Sequence, residues 1–230
     1  MRGSKSRLLK KYKKVIVFDL ETTGFDFKQD DIIDFGAVVL KSTEQGLVKV
    51  EEINELVHTY QTLSPKIVEL TGIDQSMVEK GISHQSLAEM FERLFAPDTL
   101  VVAYNLQFDI SFVHYFMKRY VPDFEFECDV LDLLTVFKDT YDYPHRLENA
   151  LEAYDIPLEN AHRAYDDAVG TAKLFEVLLE RENCQEYINH IGYHDKYGLK
   201  GVRFDHVEYH PQSYLKGSLR KKLKDAKVLK

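Results

Sequence analysis

Hydrophobic positions along this chain fall into short blocks whose period switches between two and about 3.6. Val15, Ile16, Val17 and Phe18 form an unbroken β-branched and aromatic run, the composition of a central strand. The run ends in Asp19-Leu20-Glu21, and Thr22-Thr23-Gly24 follows as a tight turn that a glycine permits. Residues 32–40 predict a second strand and residues 48–58 a third with weaker alternation. The short turn at 42–46 makes these two an antiparallel hairpin. Ser64 as N-cap and Pro65 at the first helical position open a short helix that Gly72 ends. Ser83 caps a longer helix, with Leu87, Met90, Phe91 and Leu94 at helical spacing, closing near Pro97. Residues 99–104 predict a short buried strand. It runs into a helix opened by Asp109, with Ile110, Val113, Phe116 and Met117 on its inner side. Residues 124–129 predict another strand, 130–137 and 147–154 two helices, and 164–179 a long closing helix. Strands that alternate with helices make the class α/β.

A length of 230 residues suits one such domain plus an appendage. The divisions expected are a basic flexible arm over 1–14, a main domain over 15–182, and an aromatic, His-rich extension with a basic tail over 183–230. No apolar run approaches the roughly 18–20 residues of a membrane span, and no signal-peptide pattern follows the basic start. Cys128 and Cys184 are too few for a disulfide framework or a Cys-rich zinc site. They read as free thiols in a reducing, cytoplasmic setting. The net charge of −8 argues against nucleic acid as a partner until its distribution is considered. Residues 1–14 carry +7 and residues 216–230 carry +6, which leaves −21 between them. An acidic body with basic ends suits a metal-filled site flanked by arms that reach for phosphates.

The chemistry starts at Asp19 and Glu21. Residues i and i+2 of a strand share a face, with Cα atoms roughly 6.6 Å apart. Two carboxylates side by side at the end of an apolar strand raise each other's pKa, by repulsion and by desolvation. A divalent cation removes the conflict, and two metals about 3.5–4 Å apart can share such a pair. Asp109, at a helix start in Asn105-Leu106-Gln107-Phe108-Asp109, is explained on its own by capping. Asp167, five residues after His162 in AHRAYDDA, is explained on its own as an acid on an amphipathic helix.

Together the motifs say more. D-x-E at a strand end, N-x-x-F-D after a later strand, and H-x-A-x-x-D opening a terminal helix, in this order, resemble the DEDDh (DnaQ-like) 3′–5′ exonucleases. This is the group of the DNA polymerase III epsilon proofreading subunit and ribonuclease T. The resemblance runs from about residue 15 to 179 and includes IIDFGAVV, ELTGI, CDVLDL and RLENALEAYDI. It implies a ribonuclease H-like fold with a five-stranded mixed sheet, order 3-2-1-4-5, strand 2 antiparallel, flanked by helices. It also implies that Asp19, Glu21, Asp109 and Asp167 hold two divalent ions, Mg²⁺ or Mn²⁺, and that His162 is the general base. Thr22, Thr23, Gly24, Phe25, Asn105 and Phe108 match positions that hold the 3′-terminal nucleotide. Tyr104 stands where many members have His, and Asp34-Phe35 where Glu-Ile is common, which bears on substrate fit and not on the metal ligands.

The leading expectation is a two-metal 3′–5′ exonuclease acting on single-stranded or frayed DNA and releasing 5′-mononucleotides. One alternative keeps the chemistry with RNA or short oligonucleotides as substrate. Another is a non-catalytic, polymerase-associated accessory of the same fold, against which the intact acids and His162 argue. A polymerase partner on a separate chain fits the proofreading resemblance, and the oligomeric state stays open. In the extension, His190 and His194 have helical metal-ligand spacing, but Gly192 between them opposes a regular helix. The segment is expected to pack over the domain. Its aromatics interleaved with Lys and Arg offer an alternative, stacking on single-stranded bases.

Helical geometry separates two adjacent acids. The inner face of the closing helix is marked by Ala164, Ala168, Thr171, Phe175 and Leu178. At about 100° per residue, Asp167 lies roughly 60° from Ala164 and Asp166 roughly 160° away. Asp167→Asn is therefore expected to nearly abolish phosphodiester hydrolysis. Asp166→Asn should stay within a few-fold of the parent, because surface changes usually cost within about 0.5 kcal/mol. Rates of both variants at saturating Mn²⁺ test this, and a dead Asp166→Asn beside an active Asp167→Asn would overturn the assignment.

Overall fold

The computed structural model describes residue 8 and residues 10–158, 162–212 and 216–228. Among these, five strands form the main sheet: β1 (Lys14–Thr22), β2 (Ile32–Thr43), β3 (Gly46–Leu56), β4 (Thr99–Ala103) and β5 (Asp129–Asp132). Their order is β3-β2-β1-β4-β5, with β2 antiparallel to both neighbours and β1, β4 and β5 parallel. This is the expected sheet. β1 is central because its apolar run leaves nothing to expose: Val15 through Phe18 are all buried. β3 lies at an edge and carries the charges an edge strand needs, Lys49, Glu51, Glu52 and Glu55.

Helices cover both faces. They are α1 (Pro65–Thr71), α2 (Gln75–Val78), α3 (His84–Leu94), α4 (Leu106–Tyr120), α5 (Leu133–Thr140), α6 (Leu147–Ala153), α7 (Ala164–Arg181) and α8 (Ser218–Val228). Ser64 and Ser83 cap α1 and α3 through their hydroxyls, and Gly72 closes α1 in the left-handed conformation. The alternation of β1 sorts its side chains. Ile16, Phe18 and Leu20 face the core built with α3 and α4, while Val15 and Val17 face the one built with α5, α6 and α7. The i, i+2 rule therefore turns Asp19 and Glu21 toward the side covered by α7.

Two boundaries differ from the sequence reading. The strand expected at 124–129 is instead Asp129–Asp132, and the helix expected at 130–137 starts at Leu133. The Phe124-x-Phe126 alternation imitates a strand, but Phe126 is buried by an edge-on contact with Phe95 and a tilted one with Phe204, without strand pairing. Val130 to Asp132 pair with Val101 to Ala103, and the Asp132 side chain then caps α5. The helix containing Asp109 also starts earlier, at Leu106, so Asp109 is not its cap.

The ends of the chain are less tail-like than expected. Residues 1–7 of the basic arm lie outside the described residues. Leu8 and Tyr12 are buried in the core, and Lys11 and Tyr12 both bind Asp129, at 2.7 and 2.5 Å. The flexible arm therefore does not reach residue 14. The segment expected as a basic tail contains α8, whose Leu219 and Leu223 are buried. Asp139 accepts hydrogen bonds from the Leu219 and Arg220 amides and from the Tyr187 hydroxyl. No helix among the described residues is long and apolar enough to cross a membrane.

One close approach places α7. A Cβ built on Gly36 would lie 2.1 Å from the Ala164 carbonyl carbon and the Tyr165 nitrogen. Gly36 is opposite Asp19 in the β1–β2 ladder, so its missing side chain is what lets the first turn of α7 reach the acids. Gly36→Ala should push the helix off the sheet and destabilise the fold by roughly 1–3 kcal/mol, as overpacking does. A fall in Tm of several degrees is expected, and an unchanged melting curve would refute the contact.

Candidate active site

Four acids converge at the closing ends of β1 and β4. Asp19 and Glu21 are the two half-buried residues in an otherwise buried stretch of β1. Asp109 is buried, one turn into α4, and Asp167 is buried in the first turn of α7. The structure thus brings together the four predicted metal ligands. It places His162 at their edge: donor atoms of Glu21, His162 and Asp167 lie within 4.8 Å of one another. His162 is half-exposed, and its Nε2 is 3.8 Å from Glu148 Oε1. The backbone at His162 is left-handed, with φ of 68°, and its N–H donates to Asp167 Oδ2 at 3.3 Å.

Electrostatics make the cluster a poor place for anions alone. Burial raises the Asp19 carboxyl well above the ordinary carboxylate range, and Asp109, Asp167 and Glu21 push it further. Asp109 is raised well above that range too, by burial first, against the pull of nearby backbone N–H groups that include that of Leu20. Burial, Asp167 and Asp34 raise Glu21 to about 8, opposed by Arg163. Asp167 is pushed up to about 6 by burial, offset in part by the His162 N–H. Asp167 Oδ1 is buried without a hydrogen-bond partner. An oxygen left without a donor, among carboxylates that resist ionisation, suits a hard cation held by oxygen ligands.

Two further acids hold the cluster in place, and the sequence reading did not assign either role. Asp34 is fully buried on β2 and opposite Glu21. Its Oδ2 accepts from Arg163 Nε at 3.0 Å and from the Ala164 N–H at 3.3 Å, which ties the start of α7 to the sheet. Asp132 does the same for α4. Its Oδ1 accepts from the Asn105, Leu106 and Leu134 amides, and its Oδ2 from the Thr135 hydroxyl. Both stand in apolar runs, IIDFGAVV and CDVLDL. A charge inside a buried strand was the signal that could have marked them.

The predicted substrate residues divide. Phe25 is largely exposed, and its ring meets Phe108 edge-on with centroids 6.2 Å apart. Asn105 sits in the left-handed conformation before α4 and lines a cleft of about 400 Å³ that also includes Tyr104, Arg146, His162 and Asp167. The Thr22 hydroxyl donates to the Gly24 carbonyl, and the Thr23 hydroxyl to Gln61. Those side chains therefore shape the turn. A Cβ on Gly24 would meet the Asp30 carboxylate at 2.3 Å. Tyr104 is buried, and its hydroxyl donates to the His145 carbonyl, forming a wall of the cleft. Cys128 and Cys184 are buried free thiols pushed up to about 12, which rules them out as nucleophiles at neutral pH.

The exonuclease (RNase T) family profile matches residues 16–175. Among curated relatives, the 3′-5′ exonuclease DinG of Staphylococcus haemolyticus is 31% identical over 207 residues, covering 86% of this chain and 22% of that protein. The PolC-type DNA polymerase III of Caldanaerobacter subterraneus subsp. tengcongensis is 34% identical over 169 residues, covering 72% of this chain and 12% of that protein. The chain therefore spans about a fifth or less of the length of these relatives. Among solved structures, Escherichia coli exonuclease I, in its zinc-bound complex with single-stranded DNA, superposes with a TM-score of 0.64. That match has 22% identity and covers 74% of this chain and 41% of that one. Cell-death related nuclease 4 superposes with a TM-score of 0.63 at 20% identity, covering 74% of this chain and 65% of that one. These likenesses establish the shared fold.

The raised carboxyls set a pH dependence. A folded-state pKa above the unfolded value means that the folded chain binds more protons, so stability falls as pH rises between the two values. Without metal, the window runs from the ordinary carboxylate range near 4 to the Glu21 value of about 8. In a chelating buffer, Tm should drop by several degrees from pH 5 to pH 8. Millimolar Mn²⁺ should restore most of it at pH 8 and little at pH 5, and Asp19→Asn should shrink the Mn²⁺ effect. Tm that is independent of both pH and Mn²⁺ would contradict a crowded carboxylate cluster.

Proposed function

This chain belongs to the RNase T exonuclease family, and from that premise we propose that it is a divalent-metal-dependent 3′–5′ exonuclease. It removes 5′-mononucleotides from the 3′ end of single-stranded or frayed DNA. The observation that carries the reading is the meeting of four crowded carboxylates with an imidazole at their edge, Glu21, His162 and Asp167 lying within 4.8 Å. Asp19, Glu21, Asp109 and Asp167 would hold the metal, and their raised pKa values and the orphan Asp167 oxygen fit that role. Two bound ions, Mg²⁺ or Mn²⁺, supply Lewis acidity to the attacking water and to the departing 3′-oxygen.

The protein's own groups do the rest. His162 faces the cleft from a half-exposed position and accepts the proton of the attacking water, the role a histidine fills near neutral pH. Glu148 lines the same cleft, 3.8 Å from His162 Nε2, and stabilises the imidazole once it is protonated. Phe25 and Phe108 offer an aromatic platform for the terminal base. Thr22, Thr23 and Gly24 shape the turn that brings backbone close to the terminal nucleotide, and Asn105 lines the cleft beside it. DNA is the favoured substrate because the matched relatives are named as a PolC-type DNA polymerase and exonuclease DinG, and exonuclease I was solved with single-stranded DNA. The likeness to a polymerase segment supports action alongside a DNA polymerase, in the cytoplasm.

Matched 5′-labelled DNA and RNA strands, single- and double-stranded, with Mg²⁺, Mn²⁺ or EDTA, test the substrate. Stepwise shortening of DNA from the 3′ end with either metal and none in EDTA is expected, and preferred degradation of RNA would replace the DNA reading. The base is tested with His162→Asn, because Asn tolerates the left-handed backbone that His162 adopts. Turnover should fall by roughly 10²–10⁴, the usual contribution of a general base, while the Mn²⁺-induced rise in Tm persists. Loss of the Mn²⁺ response instead would make His162 a ligand.

A further inference from the structure

A second cluster of metal-ligating side chains lies in the C-terminal extension, away from the carboxylates. Strands β6 (His190–Tyr193) and β7 (Glu208–Pro211) pair in parallel, with His190 in register with Glu208 and Gly192 with His210. Glu208 and His210 are i and i+2 on one strand and share a face. Pairing brings His190 to that face as well. His190 Nδ1 and His210 Nε2 are 2.9 Å apart, and Glu208 Oε2 is 3.6 Å from the first and 3.8 Å from the second.

These three separations define a triangle whose centre is about 2.0 Å from every corner. That matches the Zn–N distance of ~2.0–2.1 Å and the Zn–O distance of ~2.0–2.2 Å. Two imidazoles and one carboxylate favour a borderline-soft ion such as Zn²⁺ over Mg²⁺, which takes oxygen ligands. The surroundings hold the donors in place. Asn189 donates to the Val130 carbonyl and to Asp129, accepts from the Val130 N–H, and takes the Glu208 N–H on its carbonyl. At the other end, Thr135 binds the Gly192 N–H and the Gln212 side chain. The site thus stands beside the opening of β5, whereas the catalytic acids stand at the closing ends of β1 and β4.

We propose that His190, Glu208 and His210 bind one Zn²⁺, which cross-links β6 to β7 and fastens the C-terminal extension to the nuclease domain. A metal at that centre would lie in the plane of the three donors, so the two rings would part from their 2.9 Å contact as it moved out of that plane and left a fourth position for water. Binding removes the proton from the contact between the two rings, and the donor ring moves its hydrogen to its other nitrogen. A two-stranded sheet is marginal by itself, and a structural zinc supplies folding energy to such a unit. The proposal does not depend on the reading of the carboxylate site.

The test uses the full chain, stripped with EDTA and re-equilibrated with Zn²⁺ in millimolar Mg²⁺. Elemental analysis after desalting should find one zinc per chain in the parent and in Asp19→Asn. Retention should be lost in His190→Ala and His210→Ala. Glu208→Gln, a change at a largely exposed side chain that leaves packing intact, should weaken affinity by about 100-fold or more, beyond the ~10–100-fold typical of losing an outer-shell partner. Co²⁺ should give visible tetrahedral d–d absorption in the parent and none in Glu208→Gln. A parent without zinc, a Glu208→Gln variant indistinguishable from it, or zinc lost through Asp19→Asn would overturn the proposal.

Discussion

Mutual repulsion among Asp19, Glu21, Asp109 and Asp167 is the constraint around which the fold is arranged. The four acids come from three elements, each for its own reason. β1 supplies two because the strand period puts i and i+2 on one face. α4 supplies the third because Asp132 fixes its first turn. α7 supplies the fourth because Gly36 lets the helix touch the sheet and Asp34 binds its first amide. The supporting groups are themselves buried acids. Helix-start amides and Arg163 offset part of their charge, yet Asp34 still raises Glu21 and Asp132 still raises Asp109, so the braces add to the repulsion they hold in place.

Such an arrangement costs stability in the metal-free chain and makes the site responsive. Carboxyls held at about 6 and about 8 are partly protonated at neutral pH, and a cation that displaces those protons is bound more weakly as pH falls. Fold stability and pH are therefore linked through the same side chains, and the affinity for a cation held there would be linked with them. Rigid support is what keeps that linkage local: the strain is confined to the ends of β1 and β4, while the two apolar cores behind them are closed.

The C-terminal extension contributes to both of those cores. Tyr187, Leu219 and Leu223 pack with residues of α5, α6 and α7, and Ile191, Val202 and Val207 join the opposite core. Its polar ties, Asn189 to β5 and Asp139 to α8, are directional bonds to buried backbone. The extension is therefore part of the domain's interior. Arg220, Lys221, Lys222 and Lys224 lie on α8, which Leu219 and Leu223 anchor to the core.

Much of this was legible in the residues alone. The apolar run of β1, the Ser64 and Ser83 caps and the period of α7 are local signals, and local physics decided them. The D-x-E, N-x-x-F-D and H-x-A-x-x-D motifs marked the four acids and the imidazole that meet in the fold and, through family resemblance, the strand order. Tertiary structure alone decided the rest, because it depends on residues far apart in the chain. Phe124-x-Phe126 has the period of a strand, yet pairing at Leu100–Ala103 places β5 five residues later. Gly36 and Asp34 reveal their roles only when α7, some 130 residues on, lands against them. His190 finds its partners at Glu208 and His210, and not at His194, because ligand geometry is set by the register between two strands. No spacing within one segment encodes that register.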